Sequence, residues 1–150
     1  MYKNFDLSVF FQGSARSSFT IRKFGQGEDI APFIGERNAL SYIADNHWSV
    51  NNPDIYSFWP RLSTESIPNN DQKSTWWLRD GDFLRLKNIE LGYTFTPERG
   101  IFKKTNTRLY FTGVNLFYLS KFKLWDPEMG DGGLGYPPQK VWNLGLQFNL

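Results

Sequence analysis

Apolar and polar residues alternate along four stretches of this chain, each with the period of two that belongs to a β-strand. In residues 4–13, Phe5, Leu7, Val9 and Phe11 take one face, while Asn4, Asp6, Ser8 and Gln12 take the other; Phe10 breaks the pattern. Residues 82–95 alternate in two phases, with Leu84 and Leu86 apolar at even positions, then Ile89, Leu91, Tyr93 and Phe95 at odd ones. The change of phase at Lys87/Asn88 predicts a β-bulge or a strand that passes between two environments. Residues 107–118 form a third strand with less distinct faces. Leu109 and Phe111 oppose Arg108 and Thr112, but Tyr110, Val114 and Leu116 blur the division. Residues 141–150 are the clearest. Trp142, Leu144, Leu146, Phe148 and Leu150 share one face, and Val141, Asn143, Gly145, Gln147 and Asn149 form an uncharged opposite one.

From Ala15 to Gly81 no alternation is sustained. One short helix is predicted over 36–46, with Ala39, Leu40, Ile43 and Ala44 on one side. Pro60 and the Asn-, Asp- and Pro-rich clusters read as turns. A connection of about 67 residues is far above the usual length, and such segments are functional or disordered. Its Trp and Phe content argues for order. The connection from 96 to about 106 is short, and 119–139 is a second long one, closing with Tyr136-Pro137-Pro138. In an antiparallel meander the two long connections then share one end of the sheet and the short one takes the other, the asymmetry of outer-membrane barrels. Four strands cannot close a barrel, for which about eight is the floor. Open edges in lipid would leave backbone groups unpaired, at roughly several kcal/mol each. The pattern therefore allows two architectures. One is an all-β segment of antiparallel strands from a large transmembrane β-barrel with long extracellular loops. The other is a small soluble β-rich domain that covers its apolar face with the long aromatic loop and binds carbohydrate or protein through it.

Composition narrows the chemistry. The 150 residues include 14 Phe, 7 Tyr and 6 Trp beside 13 Gly and 8 Pro, a mixture that favours strands and turns over a helical domain. The net charge of +2, with basic residues scattered, gives no argument for nucleic acid. With no cysteine there is no disulfide, thiolate or cysteine-zinc chemistry. His47 is the only histidine and reads as a loop-surface residue. Asp126, Glu128 and Asp131 carry oxygen ligands, but their spacing is not that of an EF-hand, and Asp126-Pro127-Glu128 reads as a turn brace. Asp80, Asp82 and Glu90 have no nucleophile–base arrangement beside them, so no enzyme, catalytic residue, cofactor or metal site is expected. Arg79, Arg85 and Lys87 are expected to pair with these acids. Trp48, Trp59, Trp76 and Trp77, all in the long loop, are the candidates for contact with a ligand or partner; the plainer alternative is that they pack the loop. No apolar run reaches the length of a membrane helix, which leaves a barrel open. Residues 1–6 lack the apolar core of a signal peptide, so the sequence reads as a cytosolic protein or as a piece of a longer exported one.

The run Ser74-Thr75-Trp76-Trp77-Leu78-Arg79-Asp80-Gly81-Asp82-Phe83-Leu84-Arg85-Leu86-Lys87-Asn88-Ile89-Glu90-Leu91-Gly92-Tyr93-Thr94-Phe95 resembles the signature near the C-terminal end of the SusC/RagA-like family of TonB-linked outer-membrane transporters. Pro60-Arg61-Leu62, Arg108-Leu109-Tyr110, Gly113-Val114-Asn115-Leu116-Phe117, Trp125-Asp126-Pro127-Glu128 and Gly145-Leu146-Gln147-Phe148 resemble the family's neighbouring segments in the same order, and Phe5-Asp6-Leu7-Ser8 resembles an earlier barrel strand. The resemblance implies a plugged barrel of about 22 strands in the bacterial outer membrane. It also implies a SusD-like surface lipoprotein as partner, TonB contact through an N-terminal part not present here, and import of oligosaccharides or peptides. This chain would supply the C-terminal barrel segment and would transport nothing alone. Leu91, Tyr93, Trp142, Leu144, Leu146 and Phe148 would then face outer-membrane lipid. Within 82–95, Ile89 to Phe95 would cross the lipid, and Asp82 to Lys87 would extend above it with Leu84 and Leu86 covered by the loop.

Overall fold

A computed structural model describes residues 4–23, 30–33, 37–100 and 105–149. They form two compact units, one made of Met1–Arg16, Asp82–Lys121 and Pro138–Leu150, the other of Ser17–Gly81 and Phe122–Pro137.

The first unit is a four-stranded antiparallel sheet. Its strands are β1 (Phe5–Ser14), β4 (Phe83–Phe95), β5 (Asn106–Ser120) and β6 (Val141–Asn149), in that spatial order. Every pairing joins sequence neighbours within the sheet, so it is a meander. The long connections both leave from the end where Ser14, Phe83 and Ser120 lie side by side. Leu150, read from sequence as the last apolar residue of the final strand, lies outside the described residues.

The phase change at Lys87/Asn88 is a bulge. Against β1, Phe10 pairs with Asn88 and Phe11 with Leu86, so Lys87 has no opposite residue. Against β5, Leu86 pairs with Phe117 and Asn88 with Val114, setting two residues, Asn115 and Leu116, against Lys87. Asn115 absorbs the irregularity at φ 54°, a left-handed conformation that asparagine tolerates better than most residues. The bulge has a clear effect on the faces. Directly paired residues share a side of the sheet, so Leu84 and Leu86 lie on the same side as Ile89, Leu91, Tyr93 and Phe95. Without the extra residue they would point to the opposite side. Leu86 is buried, while Leu84 is 47% exposed, so the cover expected over both leucines is absent from Leu84.

The second unit is built from the two long connections. A small antiparallel pair, β2 (Ser18–Thr20) and β3 (Leu78–Asp80), is continued by Ile21 N–H donating to Trp77 O at 3.1 Å and Gly81 N–H to Ser17 O at 2.9 Å. Neither three-residue strand is long enough to show a period. The predicted helix over 36–46 shrinks to α1, Ser41–Asp45, and Glu36 lies outside the described residues. Its N-cap, Leu40, has no side chain able to accept a hydrogen bond, and no acid sits in the first turn, so nothing extends it. Ile43, fully buried, anchors it. The core joins Ile21, Ile30, Ala31, Ile43, Trp59 and Trp77 to Phe122 from the second connection, flanked by Phe19, Phe58, Leu62, Leu124 and Trp125. Burial contributes about 1.5–3 kcal/mol for each side chain such as Ile21, Ile43 or Phe122, which explains how a segment so poor in regular structure is held in place.

Candidate functional site

Three surfaces carry the features relevant to function. The first is the polar side of the sheet. Across adjacent strands Ser8, Glu90, Thr112 and Asn143 line up, as do Asp6, Gly92, Tyr110 and Gly145. Arg108 on β5 donates from Nε to Asp6 Oδ1 at 3.1 Å and from Nη2 to Glu90 Oε1 at 2.6 Å, and Nη2 also bonds the second oxygen of Asp6. One guanidinium thus ties β1, β4 and β5 together through charge-assisted bonds. Gly92 makes this geometry available, since a Cβ there would stand 2.6 Å from Arg108 Nε. Tyr110, which blurred the faces in the sequence, lies with its ring over Gly145 and 5.2 Å from the Arg108 guanidinium carbon, and it shields a glycine within the sheet. Asn143 Nδ2 donates to Thr112 Oγ1 at 3.1 Å. The acid Glu90 therefore pairs with Arg108. Nothing in the pattern of alternation marked Arg108 or Asp6 as partners, because they lie about a hundred positions apart and on strands that do not touch.

The second surface is the opposite side. Leu91, Tyr93, Trp142, Leu144, Leu146 and Phe148 all lie on it, joined by Phe5, Leu7, Val9, Leu109 and Phe111, and all are exposed, Leu144 by 74%. The rings of Phe111 and Trp142 stack at 5.4 Å, and Phe5 meets Tyr93 at 4.6 Å. A soluble sheet would bury such a face.

The third surface belongs to the second unit, and it separates the four loop tryptophans. Trp59 and Trp77 are 4% and 3% exposed and pack on each other at 4.8 Å, so as ligand contacts they are corrected: they form core. The guanidinium of the buried Arg22 lies 5.0 Å from the Trp77 ring and bonds Asn70 O and Asp71 Oδ1 at 3.3 Å. Trp48 is half-buried, and its backbone N–H donates to Trp59 O at 2.8 Å. Trp76, 39% exposed, lines a cleft of about 550 Å³ together with Tyr42, Asp45, Asn46, Asn52, Asp54, Ile55, Tyr56, Ser57, Phe58 and Arg79. Arg79 does not make the expected pair with an acid. It donates to the carbonyls of Trp76 (2.6 Å), Leu78 (2.8 Å) and Phe58 (2.9 Å), and its guanidinium lies 4.9 Å from the Phe58 ring and 5.3 Å from that of Trp76. Burial lowers its pKa from the ordinary arginine value, an effect opposed by Tyr42; an arginine remains charged nonetheless. Tyr42 meets Phe58 edge-on at 4.9 Å. The sequence reading missed Tyr42, Tyr56 and Phe58, although their density near Trp59 was a usable signal.

The remaining polar candidates have local roles. His47 is half-buried, and its Nδ1–H donates to Ala44 O at 2.6 Å. Asp126 accepts from Glu128 N–H at 3.0 Å and so caps the one-turn 3-10 helix Pro127–Met129. Asp80 ends β3 and Asp82 precedes β4, so the two carboxylates do not share a strand. Among the described residues no three His, Asp or Glu side chains gather as a metal site.

No family model matches the chain. TonB-dependent receptor P26 of Formosa agariphila is 31% identical over 162 residues, which takes in 97% of this chain and 15% of that receptor. TonB-dependent receptor SusC of Bacteroides thetaiotaomicron is 36% identical over 84 residues, 53% of this chain and 8% of that one. Among solved structures, a chain of the RagAB peptide importer in its open-open state superposes with a TM-score of 0.65 at 22% identity, over 98% of this chain and 16% of the other. A chain of RagAB in the closed-closed state gives 0.64 at 24% identity. The chain thus spans only a small part of the proteins it resembles. The likeness places its sheet as part of a large antiparallel β-barrel.

Proposed function

Since this chain belongs to the SusC/RagA-like family of TonB-dependent receptors, we propose that it is the C-terminal barrel segment of an outer-membrane importer. The importer takes up oligosaccharides or peptides with energy delivered by TonB through the N-terminal part of the full protein. A SusD-like surface lipoprotein works with it at the outer mouth. The observation that carries this reading is the continuous apolar face, uninterrupted across the bulge and opposed by a polar one. From Leu84 to Phe95 that face runs about 36 Å along the strand, or about 28 Å at a tilt of about 40°, close to the ~25 Å apolar band of such barrels. In this reading Leu91, Tyr93, Trp142, Leu144, Leu146 and Phe148 meet lipid, and the exposed Leu84 meets it as well, while Leu86 is buried. The polar side, with Asp6, Arg108 and Glu90, lines the barrel interior. The second unit stands outside the cell, where Trp76 and Trp48 are available to substrate or to the lipoprotein.

The test uses the full-length receptor, stripped of other accessible cysteines, with one cysteine introduced at Val50, Tyr136 or Asn143. A membrane-impermeant maleimide applied to intact cells should label the first two and leave the third unlabelled. Labelling of Val50 and Tyr136 only after the outer membrane is broken would contradict the orientation. Deleting the N-terminal TonB-contacting part should abolish uptake while leaving the barrel in the membrane.

A further inference from the structure

Resting on the importer reading above, we infer that the cleft between Tyr42 and Trp76 is a binding subsite for a neutral oligosaccharide. Apolar flat surface is the first feature that selects this class. Trp76 and Tyr42 are substantially exposed and Tyr56 is 88% exposed, so rings stand open on the cleft for the CH faces of a sugar.

The balance of donors and acceptors is the second. The Asp45 carboxylate has no hydrogen bond or ion pair among the described residues. Asp54 commits one oxygen to Tyr56 N–H at 2.8 Å and keeps the other. Asn46 spends its Nδ2 on Tyr42 O at 2.9 Å, which leaves its carbonyl oxygen. The uncommitted polar atoms are of both kinds, since the second Nδ2–H of Asn46, the Asn52 amide and the hydroxyls of Tyr42, Tyr56 and Ser57 add donors to these acceptors. A ligand rich in hydroxyls, each both donor and acceptor, can pair with all of them, and each bond to a carboxylate is charge-assisted.

Charge is the third. The only cation of the lining, Arg79, spends three N–H groups on backbone carbonyls, so it serves to hold the wall. A sulfate or uronate would face two carboxylates with little cationic compensation, which selects against acidic glycans. The aromatic stacking around Arg79 and the turn at Asp54 fix the walls before any ligand arrives, which limits the ordering cost of binding.

The experiment screens the purified full-length receptor against arrayed neutral, uronate-containing and sulfated oligosaccharides and against a defined peptide mixture. Calorimetry then follows the best probe with Trp76→Ala, Tyr56→Ala and the near-isosteric Asp45→Asn. Neutral glycans alone should bind, and Trp76→Ala and Asp45→Asn should each weaken binding about tenfold. Binding confined to acidic glycans or to peptides would overturn the inference, as would no binding to any probe, or neutral binding that all three variants leave unchanged. Failure of the importer reading itself shows elsewhere, as glycan uptake that persists when the receptor is deleted, and that result is independent of the cleft variants.

Discussion

Arg108 reaches across the whole width of β4 to bond Asp6, on a strand with which its own makes no backbone pairing. The crossing depends on Gly92 lying beneath it, so the three residues are expected to behave as one device. Gly92→Val should displace the guanidinium and lower the temperature at which the full receptor loses its folded gel mobility. Arg108→Ala and Asp6→Ala should each lower it too, and the double variant should lower it by less than their sum, since both remove the same bonds. Strict additivity of the two alanine variants would show that the bond contributes nothing.

The two sides of β6 should answer differently to charge. Leu144→Arg places a cation on the apolar side and should cost about 2–4 kcal/mol in folding into lipid vesicles if the residue lies near the bilayer midplane. Asn143→Arg, one position away and facing the interior, should cost well under half of that. Equal penalties would contradict the assignment of the faces.

At Asn115 the backbone conformation is the constraint. Asn115→Val must hold a branched side chain at positive φ, a cost of roughly 1–2 kcal/mol, while Asn115→Gly should fold nearly as well as the natural sequence. Semi-native electrophoresis of both variants over a temperature series would distinguish them. A valine variant as stable as the glycine variant would mean that the bulge is free to relocate.

Removing an aromatic from the core of the second unit should loosen that unit and leave the sheet intact. Trp59→Ala should cost about 3–5 kcal/mol there, visible as faster hydrogen exchange at Ile21, Ile43 and Trp77 with the amides of β4 and β5 unchanged.

The long strands were legible because each carries ten or so positions of alternation, and one side of the sheet is apolar enough to dominate the pattern. Even the irregularity at Lys87 left a trace, since a bulge shifts the phase of everything beyond it. The second unit was far less legible. β2 and β3 are too short to repeat anything, and the partners of its core, such as Ile21 and Phe122, are separated by most of the chain. The sequence marked its tryptophans as a group. Only the fold divides them, since Trp59 and Trp77 complete a core while Trp76 borders a cleft. Arg79 illustrates the same limit. Asp80 and Asp82 follow it closely in sequence, which invited an ion pair, yet its bonds go to carbonyls that local turns bring within reach.

The second unit draws its core from both long connections, with Phe122 and Trp125 packed against Phe19. Swapping recognition properties between relatives is therefore a matter of two inserts at once. A chimera that receives only residues 17–81 from a donor inherits half of a hydrophobic interior and must rely on a host 122–137 segment shaped for other neighbours. Variation in these two stretches is accordingly expected to be correlated, and a library that randomises one while holding the other fixed should yield mostly receptors with collapsed or protease-sensitive heads.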